Sequence, residues 1–256
     1  MESRYVSVEE EGHFAIVTMR HEKRRNTLSE ALLTELLHAF ESLGAGKMRG
    51  AVLAATGPVF SAGHDFRDMK DRSLESMREL LDACSRLMQT IQEIPQVVIA
   101  QVEGLATAAG CQLVATCDLA VAGQSARFEV PGGRGGWFCT TPGVALARAV
   151  GRKHALEMLL TGDSIDATTA VEWGLINRVV PDSEVAKETR KLLGRSTRGS
   201  AESKAIGKRA FYRQIDLEAA DAYAFASNVM AQASQTSDAQ EGLRAFLEKR
   251  RPNFSS

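Results

Sequence analysis

The chain has 256 residues, 44% of them hydrophobic and 25% charged, with a formal net charge of −1. A chain of this length buries roughly 70–75% of its unfolded surface, enough for one sizeable core. The near balance of charge excludes a global attraction to nucleic acid or anionic membranes, and no apolar run approaches the ~20 residues that span a bilayer.

The cysteines Cys84, Cys111, Cys117 and Cys139 include no CxxC pair and no nearby histidine pattern, so zinc has no motif here, and three of the four sit in apolar or small-residue surroundings as packed free thiols. The opening segment Met1-Glu2-Ser3-Arg4-Tyr5 runs into strand-like alternation without signal or transit character. A reducing, cytoplasmic compartment is the expectation.

In chain order, Tyr5-Val6-Ser7-Val8-Glu9 alternates, Glu11-Gly12 marks a turn and residues 13–19 alternate again, which predicts a hairpin. Thr27 with Glu30 predicts a capping box, and Leu32, Leu33, Leu36, Leu37, Phe40 and Leu43 recur at helical spacing up to Gly44. Residues 50–56 read as a buried parallel strand, broken by Gly57-Pro58. Residues 65–78 are polar and weakly periodic, so a mobile helical loop is expected, with a helix only over 80–94, stopped by Pro95. Strands are predicted at 97–102 and 118–122.

Residues 128–143 have glycine at four of their first nine positions and must be loop-like, with Trp137 and Phe138 expected to wall a pocket. Helices follow over 144–150 and 154–160, divided by Gly151, and from an Asp166 N-cap through Trp173 to the stop Gly174. A last strand covers 176–180. Strand signals end after Ser183, which sets a boundary near 195 between an α/β core, 1–195, and a helical region, 196–256, of the kind that packs on a neighbouring subunit. Lys204, Lys208, Arg209 and Arg213 cluster there, which suits RNA binding, but the spacing reads rather as a solvated helix face.

Two stretches carry the chemistry. In Val102-Glu103-Gly104-Leu105-Ala106-Thr107-Ala108-Ala109-Gly110-Cys111-Gln112-Leu113, a strand enters a turn of tiny residues and then a helix start, which leaves backbone N–H groups free and uncrowded. A second N–H, from Phe60-Ser61-Ala62-Gly63-His64-Asp65, would complete an oxyanion hole. Either run alone reads equally as close packing of helix on sheet.

With Arg25-Asn26-Thr27-Leu28, Cys117-Asp118, Gly162, Ala170, Gly174-Leu175 and the segment from Phe246 to Phe254, these runs resemble the crotonase, or enoyl-CoA hydratase/isomerase, superfamily over nearly the whole chain. The resemblance implies an α/β spiral of strand-strand-helix units with a C-terminal helical oligomerisation region, forming a homotrimer or a hexamer as a dimer of trimers. It implies an acyl-CoA thioester as ligand, coenzyme A entering as part of the substrate with no separate cofactor or metal, and neither nucleic acid nor membrane as partner. The thioester oxygen would lie between the amides of His64 and Ala109. Asn26, Ala62, Asp65, Phe66 and Arg67 map around CoA, with Arg67 a phosphate partner. Gly110, Gly132 and Cys139 map near the acyl group, and Phe246 and Lys249 near the nucleotide end.

The departures fall on the proton carriers. Hydratases of this superfamily use two glutamates, and their positions hold Gln112 and Gly132 here. An amide orients water but is no carboxylate base, and glycine has no side chain, so the standard hydration mechanism lacks both carriers. The acid of some dienoyl isomerases maps near Thr140, also not a carboxylic acid. The His64 imidazole suits acid/base work near neutrality, but the plainer reading, that only its backbone N–H serves and its ring faces solvent or CoA, is preferred. Cys139 is a packed thiol before it is a nucleophile. Arg134 binds an acyl carboxylate or faces water, and Thr140 and Thr141 are expected to cap a helix after Pro142. Residues 131–148 most resemble the subgroup called enoyl-CoA hydratase domain-containing protein three. The implied function is an acyl-CoA enzyme that stabilises a thioester enolate; a non-catalytic or slow acyl-CoA-binding protein is the alternative.

Overall fold

β1 (Val6–Glu11) and β2 (Phe14–Met19) form the expected antiparallel hairpin, with Val6 opposite Met19 and Glu11 opposite Phe14. The computed structural model describes residues 3–255, so Met1 and Glu2 of the opening segment lie outside them. Helix α1 (Glu30–Ala45) follows, but not from a capping box. Its N-cap is Ser29, whose hydroxyl accepts the Leu32 N–H at 3.3 Å, while Thr27 turns to Asp65 and Glu30 to Arg72.

Three units of strand, strand and helix then wind the chain into a spiral. The first is β3 (Gly50–Ala55), β4 (Val59–Ser61) and the helices α2 (Phe66–Met69) and α3 (Leu74–Glu93). The second is β5 (Val97–Val102), β6 (Leu105–Thr107) and α4 (Ala109–Thr116). The third is β7 (Leu119–Gly123), β8 (Arg127–Glu129) and α5 (Thr140–Thr161), which is broken at Gly151 as predicted. β9 (Ile165–Asp166), α6 (Ala167–Glu172), β10 (Arg178–Val180) and α7 (Val185–Ser196) close the core.

The first strand of each unit joins a six-stranded sheet, β1-β2-β3-β5-β7-β10, parallel from β2 onward. The second joins a four-stranded sheet, β4-β6-β8-β9. These second strands are two or three residues long, too short for any alternation to show in the sequence.

Both faces of the large sheet are covered, so its central strands are apolar throughout. Ala51 and Leu53 on β3 face the cluster built with Leu32, Leu36 and Phe40 of α1 and Leu80, Leu87 and Ile91 of α3. Val52 and Ala54 face the other way, onto Val185, Leu192 and Leu193 of α7. The expected mobile loop over 65–78 is instead α2, a turn, and the start of α3 capped by Ser73. Every fully buried residue of α3 lies from Leu80 onward, so its first turns carry no apolar stripe.

Three helices follow the core: α8 (Ala201–Gln214), α9 (Ala219–Ala233) and α10 (Ser237–Leu247). α8 and α9 bury no residue fully, yet Lys208 on α8 is not the solvated charge expected there. Its side chain is only 7% exposed, bonded to the Ile91 and Gln96 carbonyls and paired with Asp118 at 2.8 Å.

Candidate active site

The first loop of the site, residues 61–65, is stitched to the connector before α1. The Ala62 amide donates to the Arg25 carbonyl at 3.0 Å, the Ser61 hydroxyl to the Asn26 carbonyl at 2.8 Å, and the Leu28 amide to the Gly63 carbonyl at 2.8 Å. Asn26 itself is fully buried. Its amide donates to the Thr56 and Val59 carbonyls and its carbonyl accepts the His21 N–H, each at 2.8 Å. Its side chain is therefore wholly engaged in clamping the loop.

The second loop meets the first at Gly63. A Cβ there would lie 3.0 Å from the Ala108 Cβ and 3.3 Å from the Ala109 amide nitrogen, and Gly63 has φ +77°, so glycine is needed twice over. Ala108 is held at φ +50°, a conformation that costs a non-glycine residue about 1–3 kcal/mol. Two hydrogen bonds hold it there: its N–H donates to the Glu129 carbonyl at 2.9 Å, and its own carbonyl accepts the Gln112 N–H at 3.0 Å. Behind this turn, Gly110 lies so near β4 that a Cβ would be 2.3 Å from the Ser61 carbonyl oxygen.

The turn leaves Ala109 at the first position of α4, where an amide has no carbonyl partner within its helix. Neither the Ala109 nor the His64 amide donates to a backbone carbonyl. Three buried side-chain atoms nearby in the chain also lack partners: both ring nitrogens of His64 and Oε1 of Gln112. Burial pulls the His64 imidazole pKa below its ordinary value, partly opposed by the Leu28 carbonyl. Both ring nitrogens are thus out of contact with solvent, in a residue that is itself half-buried.

Asp65 caps α2, accepting the Arg67 N–H at 3.0 Å and pairing with Arg24 and Thr27 at 3.2 Å. Burial opposes its ionisation, but these donors outweigh burial and hold its carboxyl below the usual range. Ala62 is half-buried, and Phe66 and Arg67 are exposed on α2. Phe66, Met69, Lys70 and Met77 line an open apolar pocket of about 350 Å³ with Trp137 of the glycine-rich loop. Trp137 thus walls a pocket as expected, whereas Phe138 does not line it. Met69 and Met77 fall in the polar stretch 65–78, whose weak periodicity gives no sign of an apolar wall.

Gly132 has no room for a side chain. A Cβ would lie 2.3 Å from the Trp137 carbonyl oxygen and 2.6 Å from the Cys139 Sγ. Cys139 is a buried free thiol, pushed up in pKa by burial against a hydrogen bond from Gly132. Cys111 is pushed up to about 12 by burial. Cys139, not Thr140 or Thr141, is the N-cap of α5, with no side-chain cap, and the Thr140 hydroxyl turns back to the Phe138 carbonyl. Arg134 pairs with Asp163 at 3.5 Å. Phe246 and Lys249 lie exposed at the end of α10. Among the described residues no cluster of His, Cys, Asp or Glu is placed to hold a metal ion, and no helix is long and apolar enough to cross a membrane.

Comparison with known proteins agrees with this architecture. The sequence profile of the enoyl-CoA hydratase/isomerase family matches residues 9–256. Enoyl-CoA hydratase domain-containing protein 3, mitochondrial, of Mus musculus is 40% identical over 259 residues, covering 99% of this chain and 85% of the relative. The crystal structure of an enoyl-CoA hydratase of Mycobacterium smegmatis superposes with a TM-score of 0.95 at 43% identity, over 99% of this chain and all of that one. That of human enoyl-CoA hydratase domain-containing protein 3 gives 0.93 at 41% identity, over 98% and 100%. The expected cytoplasmic location is overturned, since the mouse relative and its counterparts in rat, human, Xenopus laevis and Danio rerio are all named mitochondrial. Packed free thiols and near-neutral charge fit any reducing compartment and could not make that distinction.

Proposed function

Since the chain belongs to the enoyl-CoA hydratase/isomerase family, and within it to the group of enoyl-CoA hydratase domain-containing protein 3, we propose that it is an enzyme that binds an acyl-CoA thioester and stabilises its enolate between the His64 and Ala109 amides. The observation that carries this reading is the pair of carbonyl-free amides at the contact of the two loops. Charge that develops on the thioester oxygen as the α-proton leaves is met there by fixed donors. The acyl group extends toward the pocket of Phe66, Met77 and Trp137. Arg67, exposed beside the Asp65 cap, meets a CoA phosphate, and coenzyme A enters only as part of the substrate.

Water addition is not the reaction favoured. Gln112 has no acid or base group for proton transfer, and position 132 is closed by Cys139 and Trp137. Residues 196–256 serve as the trimerisation region: Tyr223, Met230, Phe246 and Leu247 are each more than three-quarters exposed, an apolar load suited to a subunit interface. In the trimer, Phe246 and Lys249 reach the nucleotide end of a neighbour's CoA.

The test is a calorimetric titration with butyryl-CoA and crotonyl-CoA, followed by deuterium uptake at the α-carbon in D₂O and assay of crotonyl-CoA hydration. Binding with exchange but without hydration is expected. Absence of binding overturns the reading; binding without exchange over a panel of thioesters favours the non-catalytic binder, to which the closed position 132 lends its weight.

A further inference from the structure

We infer that the His64 side chain is the proton carrier of this site, so that one imidazole serves where related hydratases use two carboxylates, and that the reaction is a proton shift along the acyl chain. The inference rests on the acyl-CoA reading above.

Buried polar atoms in folded proteins are nearly always hydrogen-bonded, and each exception calls for a water or a ligand. Among the described residues, three of the six such side-chain atoms belong to His64 and Gln112, the other three to His21, Arg49 and Gln96. His64 has both ring nitrogens buried and unpartnered, and its neighbour Gly63 touches the Ala108–Ala109 turn. One helical turn past Ala109, the Gln112 Oε1 is buried and unpartnered too. The Leu28 carbonyl favours an N–H on the ring nitrogen nearest it, which leaves the other nitrogen as the acceptor.

The surroundings keep the ring neutral. No charged side chain contributes to its shift, which comes from burial against the Leu28 carbonyl. The acid next to it, Asp65, is engaged by Arg24 and Thr27; on α2, Asp68 accepts the Glu30 N–H, and Arg67 and Lys70 are exposed. Glu129 ends β8, and Asp166 on β9, paired with β8, caps α6. A neutral imidazole has one nitrogen free to accept a proton.

With a 3-enoyl-CoA the step balances within the substrate. The α C–H bond breaks, its proton goes to the imidazole, and its electron pair enters a dienolate whose oxygen lies between the His64 and Ala109 amides. The imidazolium then returns the proton to the γ-carbon, and the double bond moves from β,γ to α,β. Nothing is oxidised or reduced and no water is consumed. Water addition would need a second group to hold and deprotonate water, which Gln112 alone does not provide.

The experiment follows conversion of 3-hexenoyl-CoA to the conjugated 2-enoyl form in wild type, His64→Gln and Gln112→Ala. His64→Gln keeps the backbone N–H and is expected to lower kcat about a hundredfold or more with KM little changed. The wild-type rate should fall with acid through a single group below about 6.5, and this limb should be absent from the residual activity of the variant. Gln112→Ala should retain the limb. A rate in His64→Gln equal to wild type, or an acid limb that persists unchanged in the variant, overturns the inference, and a Tm equal to wild type shows that the variant folds. Failure of butyryl-CoA to bind the wild type would instead sink the acyl-CoA reading on which it rests.

Discussion

The sulfur of Cys139 occupies the space that a side chain at Gly132 would need, with a built Cβ only 2.6 Å from Sγ and 2.3 Å from the Trp137 carbonyl oxygen. Loss of the glutamate at this position is thus bound up with the fold of the glycine-rich loop. Restoring carboxylates by Gln112→Glu with Gly132→Glu is expected not to restore hydration of crotonyl-CoA. The Gly132 change should cost about 2 kcal/mol through overpacking, a fall in Tm of roughly 4–8 °C. Adding Cys139→Ala relieves the sulfur contact but not the backbone one, so Tm should recover only in part. Hydration by the doubly restored protein at its wild-type Tm would contradict this account.

Gly63→Ala tests the contact between the two loops. The new methyl would meet Ala108 Cβ and the Thr107 carbonyl oxygen at 3.0 Å, on a backbone with φ +77°. The left-handed conformation alone costs about 1–2 kcal/mol. If the His64 and Ala109 amides act together, parting the loops should lower α-proton exchange about a hundredfold, as loss of one oxyanion donor does elsewhere. Tm should fall by only a few degrees, about 3–6 °C. Exchange that drops no more than the folded fraction would separate this loop contact from the chemistry.

The parts of the molecule legible in the sequence are those whose burial leaves a repeating mark. Leu32, Leu36 and Phe40 announce α1, and the unbroken apolar run of β3 announces a strand covered on both faces. The first turns of α3 left no such mark, because Leu74 is exposed and burial begins at Leu80. The two amide-bearing loops were legible through their small residues. What the sequence could not show was where single side chains turn: that Asn26 clamps Thr56 to Val59, that Thr27 serves Asp65 and not a helix cap, and that the His64 ring nitrogens are buried. Those are long-range contacts with no period along the chain.

Glu35 predicts acid sensitivity at the N-terminal segment. Its carboxylate accepts the Ser3 hydroxyl at 2.7 Å and the amides of Arg4, Tyr5 and Val6 at 3.1, 2.7 and 2.9 Å. Burial would raise its pKa, but these four donors prevail and hold it below the ordinary value. A depressed folded pKa adds stability that is complete above the unfolded value, about 4.3, and is lost as pH falls through the folded one. Glu35→Gln should therefore have a lower Tm than wild type at pH 7, with the gap closing below about pH 4. Faster hydrogen exchange at the first amides of β1 should accompany it. A gap that persists unchanged in acid would show that the carboxylate charge is not what holds the segment.

Lys208 and Asp118 predict how the helices after the core are fastened to it. The pair is buried, and Asp118 also accepts the Tyr212 hydroxyl at 2.8 Å and the Val98 N–H at 2.7 Å. Burial pushes the Asp118 pKa up and the Lys208 pKa down, each against the pull of its partner, so neither charge would be stable there alone. Lys208→Met should cost about 3–5 kcal/mol, since it strands a buried carboxylate and frees two carbonyls. Much of that cost belongs to the stranded charge and not to the lost pair. Adding Asp118→Asn, which removes the charge and keeps an acceptor for the Val98 N–H while its NH2 can donate to the Tyr212 oxygen, should therefore recover about 1–2 kcal/mol. The single variant should regain stability as pH falls and Asp118 takes up a proton, because its folded pKa lies above the unfolded one. Chemical denaturation of both variants at pH 7 and 5 reads all three numbers. If the double variant is less stable than Lys208→Met by the full cost of Asp118→Asn alone, the two residues do not act as a pair, and α8 is held by its other contacts.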